Sequence, residues 1–177
     1  MGAFSPSSLL NDELENKIKK KIIEPTLNEM KKMGHPYSGF LYAGLMISNG
    51  EPYLIEYNIR MGDPECQVLM MRLKTDLLEI LDLVTKNELK KIKIEWEDDY
   101  AITVVLCAKG YPGNYIKDSE IKNIKKINTD EYNQIFHAGT CYKDNKIFSN
   151  GGRVLNITSK ASKLKAARDK SLENLAK

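Results

Sequence analysis

Residues 54–65 read "LIEYNIRMGDPE". Glu56, Asn58 and Arg60 fall on alternate positions, with Ile55, Tyr57 and Ile59 between them. Side chains alternate across a strand, so this period predicts a strand with one polar row and one apolar face. The apolar face is expected to pack on a helix. The polar face then presents a carboxylate, an amide oxygen and a guanidinium, spaced roughly 6–7 Å apart. Carboxylate and amide oxygens are hard ligands of the kind Mg²⁺ takes when substrate phosphates complete its shell. The neighbouring Arg supplies a fixed fork of positive charge for a phosphoryl group. Gly62-Asp63-Pro64-Glu65 follows, bringing backbone N–H groups and a helix start to the end of the row, which suits an anion. On alternation alone, the row reads more readily as the wet face of a sheet. Against that, Asp63 and Glu65 at its tip would only repel each other unless something cationic came near.

Working outward, "YSGFLYAGLMIS" and "YLIEYNIR" flank "NGEP", a β-hairpin whose turn is set by Asn49-Gly50. Upstream, "NDELENKIKKKIIEPTLNEMKKMG" predicts a helix capped by Asn11 and ended by Gly34. Leu14, Ile18 and Ile22 form its apolar stripe, Pro25 kinks or divides it, and the lysines from Lys17 to Lys21 make its solvated face. Downstream, "DPECQVLMMRLKTDLLEILDLVTK" predicts one helix. Asp63 caps it, Pro64 fits its first turn, and Leu69, Leu73, Leu77, Ile80 and Leu81 form the buried stripe. Beyond residue 86 the texture changes. "KIKIEWEDDYAITVVLCAKGYPGNY" predicts two strands and a Gly/Pro turn. "QIFHAGTCY", "KIFSN" and "GGRVLNITS" predict three more strands, and the chain closes on an amphipathic helix. The class is α+β: a helix–hairpin–helix unit over 1–86, then a small antiparallel α+β unit over 87–177.

Composition narrows the function. The chain has 177 residues, 42% hydrophobic and 29% charged, ordinary for a globular protein of one domain or two small ones. A net charge of +3 with interspersed Lys and Asp/Glu, and no base-reading motif, argues against nucleic-acid binding. Cys66, Cys107 and Cys141 are odd in number and widely spaced, so they predict reduced thiols in a cytoplasmic protein, not a disulfide framework or zinc site. His35 and His137 are too isolated for a His-rich metal site, and His137 reads first as a structural histidine. No apolar run approaches a membrane span, and the N-terminus has no secretory pattern. A second candidate site is Gly151-Gly152-Arg153, where glycines permit close backbone approach and Arg offers a bidentate phosphate contact. Taken alone, the same residues are an ordinary turn followed by a surface Arg.

Longer stretches carry a resemblance. "YSGFLYAGLMISNGEPYLIEYNIRMGDPECQVLMMRLKTDLLEIL" is similar to the ATP-grasp family of phosphoribosylamine–glycine ligases, with its Y-x-G-x-L-Y-A-G-L strand, I-E-[FY]-N-x-R-x-G-D-P-E segment and R-L-K-x-D-L helix. "MGAFSPSSLL", "CAKGYPGNY", "FHAGT" and "NGGRVLNITS" resemble further segments of that family, so the likeness covers nearly the whole chain. It implies that 1–86 is the C-terminal, metal- and phosphate-binding lobe of an ATP-grasp fold, and that 87–177 is the family's C-terminal domain, short of its final strand. The implied reaction joins glycine to 5-phosphoribosylamine with ATP, through glycyl phosphate, in purine biosynthesis. Glu56 and Asn58 would ligate Mg²⁺, with Mn²⁺ as the alternative ion. Arg60 would meet the transferring phosphoryl group or the glycyl-phosphate intermediate. Asp63, beside Gly62, would hold glycine through its ammonium, and Gly151, Gly152 and Arg153 would hold the 5-phosphate.

Departures from the family pattern are Met61, Cys66 and Ser7-Ser8, none of which removes a polar group of the implied site. The preceding strand carries Ala43-Gly44-Leu45, without the second metal carboxylate that many ATP-grasp enzymes place there. Because the family's chain is much longer, the resemblance also implies missing N-terminal and nucleotide-covering lobes, an inactive chain when alone, and apolar surface left bare. Two other readings stay open: a different ATP-grasp carboxylate–amine ligase, or a non-catalytic half that pairs with the missing lobe.

Overall fold

The computed structural model describes all 177 residues. In chain order the elements are β1 (Gly2–Ser5), α1 (Asp12–Ile18), α2 (Glu24–Lys32), β2 (Tyr42–Ser48), β3 (Glu51–Asn58), α3 (Glu65–Arg72), α4 (Leu77–Thr85), β4 (Tyr100–Cys107), β5 (Glu120–Ile121), β6 (Asn133–His137), β7 (Thr140–Lys143), β8 (Lys146–Ser149), β9 (Arg153–Ala161) and α5 (Leu164–Leu175). Its strand pairings are antiparallel throughout, as the α+β reading expects. The elements form two compact units. One comprises Met1–Pro6, Asp63–Lys74 and Glu95–Lys177; the other comprises Ser7–Gly62 and Thr75–Ile94.

The first unit is built on a four-stranded sheet in the order β1-β4-β9-β6. Cross-strand partners share a face, so Ala3, Thr103 and Thr158 line one side with Ala101, Val105, Asn156 and Phe136. Helix α3 covers that side, packing the buried Val68 and Met71 on Ala101, Ala3 and Phe136. Thr158 donates to Thr103 across the strands at 2.7 Å, satisfying both buried hydroxyls. The opposite side carries Leu155, Ile157 and Ser159, all buried, and takes α5. There Ser171 Oγ donates to the Ile157 carbonyl at 2.7 Å, and Asn174 reaches Asn133 at 3.2 Å. Strands β5, β8 and β7 make a separate three-stranded sheet.

The second unit pairs a helical segment with the β2–β3 hairpin. Asn11 caps α1 by accepting from Leu14 N–H at 2.9 Å. Pro25 divides the helix as expected. It cannot donate to the Lys21 carbonyl and its ring crowds that carbonyl, so Lys19–Ile23 widens into a π turn before α2 begins. Both Asn49 and Gly50 have positive φ, 52° and 75°, the tight hairpin turn their sequence calls for. Two of the lysines of this face also reach the hairpin: Lys17 and Lys21 ion-pair with Glu51 at 3.1 and 2.5 Å. These contacts, Lys21 first, hold the Glu51 carboxyl below its usual range. Tyr57 ties β3 to the π turn. Its hydroxyl donates to the Ile22 carbonyl at 3.1 Å and lies 2.7 Å from Thr26 Oγ1. Tyr57→Phe should therefore cost about 1 kcal/mol of stability, read as a lower urea midpoint at unchanged slope.

Several expectations need correction. The segment after Asp63 is two helices, not one. Leu73 is extended and bridges Trp96, the Lys74 N–H donates to Glu95, and the Glu97 N–H donates to Arg72. A new helix then starts with Asp76 accepting from Leu78 N–H at 2.7 Å. Of the five-residue stripe only Ile80 is fully buried. The stretch 90–96 forms no strand, because its backbone is spent on a 3₁₀ turn at Leu89–Lys91 and on the Leu73–Trp96 bridge. And β6 and β7, expected as one strand, break at Ala138-Gly139 and enter different sheets. The compact units also do not follow a cut at residue 86: β1 and α3 belong with the C-terminal sheet because they cover its edge and one face.

Candidate active site

The hairpin register decides where the polar row points. Leu45 opposes Leu54 while its neighbour Gly44 opposes Glu56, leaving Ile55 as the extra residue of a β-bulge. The bulge shifts the phase of the strand by one. Glu56 and Asn58 therefore share a face with Gly44, Tyr53 and Met46, and Tyr57 turns to the face that packs on the helical segment. Ile55 and Ile59, expected on that packed face from alternation, do not join it and are 64% and 78% exposed. The packing residues are instead Ile47, Pro52 and Tyr57 on the helical side.

On the open face, Asn58 Nδ2 donates to Glu56 Oε1 at 2.9 Å. That bond turns the Asn58 amide nitrogen to the carboxylate, leaving Asn58 Oδ1 and Glu56 Oε2 as hard acceptors on the same sheet face. Gly44 leaves room for the arrangement, since a Cβ there would lie 3.1 Å from Glu56 Cγ and push it aside. No group of three or more His, Cys, Asp or Glu side chains is placed to hold a metal. The donor set is thus one carboxylate and one amide, which fits Mg²⁺ bound jointly with phosphate oxygens and water better than a closed protein cage. Arg60 lies just past the strand, exposed, its Nη1 donating to the Met61 carbonyl at 2.9 Å.

Asp63, Gly151, Gly152 and Arg153 were proposed from separate motifs; Asp63 and Arg153 prove to be direct partners. Arg153 Nη1 donates to the Asp63 backbone carbonyl and, at 3.2 Å, to its Oδ2. Arg153 Nε donates to the Tyr111 hydroxyl at 3.1 Å, a contact that, ahead of any from Asp63, raises the guanidinium above its ordinary pKa. Only Nη2 of the fork remains uncommitted, which leaves one edge for an anion instead of the bidentate fork the sequence suggested. Asp63 does not cap α3, whose first turn has no side-chain cap. Its Oδ1 instead accepts from Gln67 Nε2 at 3.0 Å.

The two glycines have packing reasons of their own. A Cβ on Gly152 would run into the Tyr111 ring, and one on Gly151 would lie 2.9 Å from Gly139 Cα. Gly139 itself has room for no side chain, with Arg153 O at 2.5 Å and Gly151 Cα at 2.6 Å from its Cβ position. His137 points to Thr140 across the β6–β7 turn, Nδ1 to Oγ1 at 2.9 Å. Cys66, Cys107 and Cys141 are all free thiols, and burial pushes Cys66 up. No helix is long and apolar enough to cross a membrane. The polar residues thus fall into two sets: Glu56, Asn58 and Arg60 with Gly62 in one unit, and Asp63 with Gln67, Tyr111 and Arg153 in the other. Gln67 and Tyr111 went unnoticed in the sequence, though the Gly-Tyr-Pro-Gly turn at 110–113 marks the second as a residue in a special loop.

Comparison with known proteins gives the family. Residues 1–66 match the model of the phosphoribosylglycinamide synthetase ATP-grasp (A) domain, and residues 101–177 match the model of that synthetase's C domain. A phosphoribosylamine–glycine ligase of Agrobacterium fabrum is 52% identical over 159 residues, covering 90% of this chain and 37% of the relative. One from Caldanaerobacter subterraneus is 40% identical over 177 residues, covering 100% of this chain and 42% of the relative. The crystal structure of a phosphoribosylamine–glycine ligase from Thermotoga maritima superposes with a TM-score of 0.78 at 34% identity, covering 100% of this chain and 43% of that one. The chain thus spans well under two thirds of the length of these relatives. With both of its ends matched to successive domains of one enzyme and its fold shared with a solved member, the chain belongs to the phosphoribosylamine–glycine ligase family.

Proposed function

We propose that this chain is the metal- and phosphate-handling part of an ATP-dependent ligase that joins glycine to 5-phosphoribosylamine. The observation that carries the reading is the Glu56–Asn58 pair, a carboxylate and an amide hydrogen-bonded to each other on one open sheet face. Mg²⁺ held there would neutralise charge on the ATP phosphates. Arg60 would add an exposed cation for the transferring phosphoryl group. A glycine carboxylate oxygen attacks the γ-phosphorus, ADP leaves, and glycyl phosphate forms. The amine nitrogen of phosphoribosylamine then attacks the acyl carbon, the C–O bond to phosphate breaks, and phosphate leaves with the electron pair as the nitrogen loses a proton. Asp63 is assigned to the glycine ammonium, and Arg153, through its uncommitted Nη2, to the 5-phosphate with the Gly151-Gly152 turn. The three free thiols accord with a cytoplasmic enzyme.

The experiment is a substrate panel on the intact ligase carrying this sequence, following phosphate release. Glycine with phosphoribosylamine should support turnover and other small amino acids or carboxylates should not. Equal turnover with a different carboxylate would move the chain to another ATP-grasp ligase.

A further inference from the structure

The contacts around Asp63 extend beyond any residue assigned above. Its two carboxylate oxygens are held by different partners: Oδ1 accepts from Gln67 Nε2 at 3.0 Å, and Oδ2 accepts from Arg153 Nη1 at 3.2 Å. Arg153 is in turn held at Nε by the Tyr111 hydroxyl at 3.1 Å, and the Tyr111 ring is wedged against Gly152, where no side chain fits. Gln67 sits one turn into α3, beside the buried Val68, with its Oε1 shielded from solvent and its Nε2 on Asp63. The Asp63 side chain is nevertheless 45% exposed. A carboxylate offers about four acceptor positions, so each oxygen keeps one after these bonds.

We propose that Gln67 and Tyr111 are positioning residues of the ligase: they hold the Asp63 carboxylate, directly and through Arg153, in one orientation with its remaining acceptor positions turned outward to receive the amine of the amino-acid substrate. This rests on the assignment of Asp63 made above. The physical gain is preorganisation. An unheld Asp side chain must lose rotamer freedom when it meets an ammonium, whereas a carboxylate fixed at both oxygens has lost it already. The same network explains why Tyr111 and Gly152 are matched. The glycine lets the ring approach the β9 backbone, and the ring places its hydroxyl on Arg153.

The test is steady-state kinetics of the intact ligase with glycine varied, on Tyr111→Phe, Gln67→Met and Asp63→Asn, with thermal melting alongside. Tyr111→Phe keeps the ring that packs on Gly152, and Gln67→Met keeps the volume in α3. Each should raise KM for glycine about 10-fold, the loss expected for a hydrogen bond to a charged group, with KM for ATP unchanged and Tm within a few degrees. Asp63→Asn should raise it further. If Asp63→Asn raises KM for glycine but neither other variant does, the positioning roles are wrong while the Asp63 assignment stands. Should Asp63→Asn leave KM for glycine unchanged, the assignment itself fails and the inference falls with it. A fall in Tm with no change in KM would make the network purely structural and overturn the proposal as well.

Discussion

Glu56→Gln in the intact ligase should lower turnover by about 10²-fold or more without loss of fold. The substitution is nearly isosteric. Its amide oxygen can still accept from Asn58 Nδ2, as Glu56 Oε1 does at 2.9 Å, so the hairpin keeps its local contact. What changes is the other atom. An acceptor carrying negative charge becomes an NH₂ group, which a hard cation does not bind. Raising Mg²⁺ should restore part of the activity, because affinity for the ion and not the chemistry of the remaining groups has been lost. A Mg²⁺ titration of initial rates, paired with a melting curve, distinguishes this from unfolding. Near-normal turnover at ordinary Mg²⁺ would remove Glu56 from the metal site, and the same holds for Asn58→Ala.

Arg72→Ala should destabilise the chain by about 3 kcal/mol. Arg72 closes α3, and its half-buried guanidinium is shared among three acceptors in two other segments. Nε donates to the Asp99 carbonyl at 2.8 Å, Nη1 to Ser5 Oγ at 2.7 Å and Nη2 to the Glu97 carbonyl at 2.8 Å. Burial lowers its pKa from the ordinary guanidinium value, yet no group in a protein keeps its proton more firmly, so the charge stays. Truncation leaves two carbonyls and a hydroxyl without their donor and opens a gap where β1, α3 and the approach to β4 meet. Arg72→Lys recovers only part, since one ammonium cannot span the planar fork that reaches three acceptors. Urea unfolding measures the loss. A change below about 1 kcal/mol would mean that water replaces the guanidinium without penalty.

The legible parts of this fold are those fixed by neighbours in sequence. Asn11 caps α1, Pro25 interrupts the helix and Asn49-Gly50 turns the hairpin, because each acts within one turn of chain. The break at Leu73 was hidden because apolar residues recur at helical spacing on both sides of it; Asp76 is a local cap, but the partner that extends Leu73, Trp96, lies 23 residues on. Within the candidate site, the polar row was visible in the alternation of Glu56, Asn58 and Arg60. Its phase was not, because the bulge at Ile55 is a property of the pairing with Gly44 and Leu45. Arg153 was visible as a residue but not as a partner of Asp63, from which 90 positions separate it. Tyr111 and Gln67 have meaning only once those two meet.

The first compact unit is assembled from three separate stretches of chain. A division made by counting residues, with everything after 86 kept, would therefore amputate it. Strand β4 would lose β1 and present a row of unpaired N–H and C=O groups along a newly opened border. The α3 side of the sheet, Ala101 and Phe136 included, would face water. Such a border recruits other strands, so the severed piece would be a template for aggregation instead of a domain.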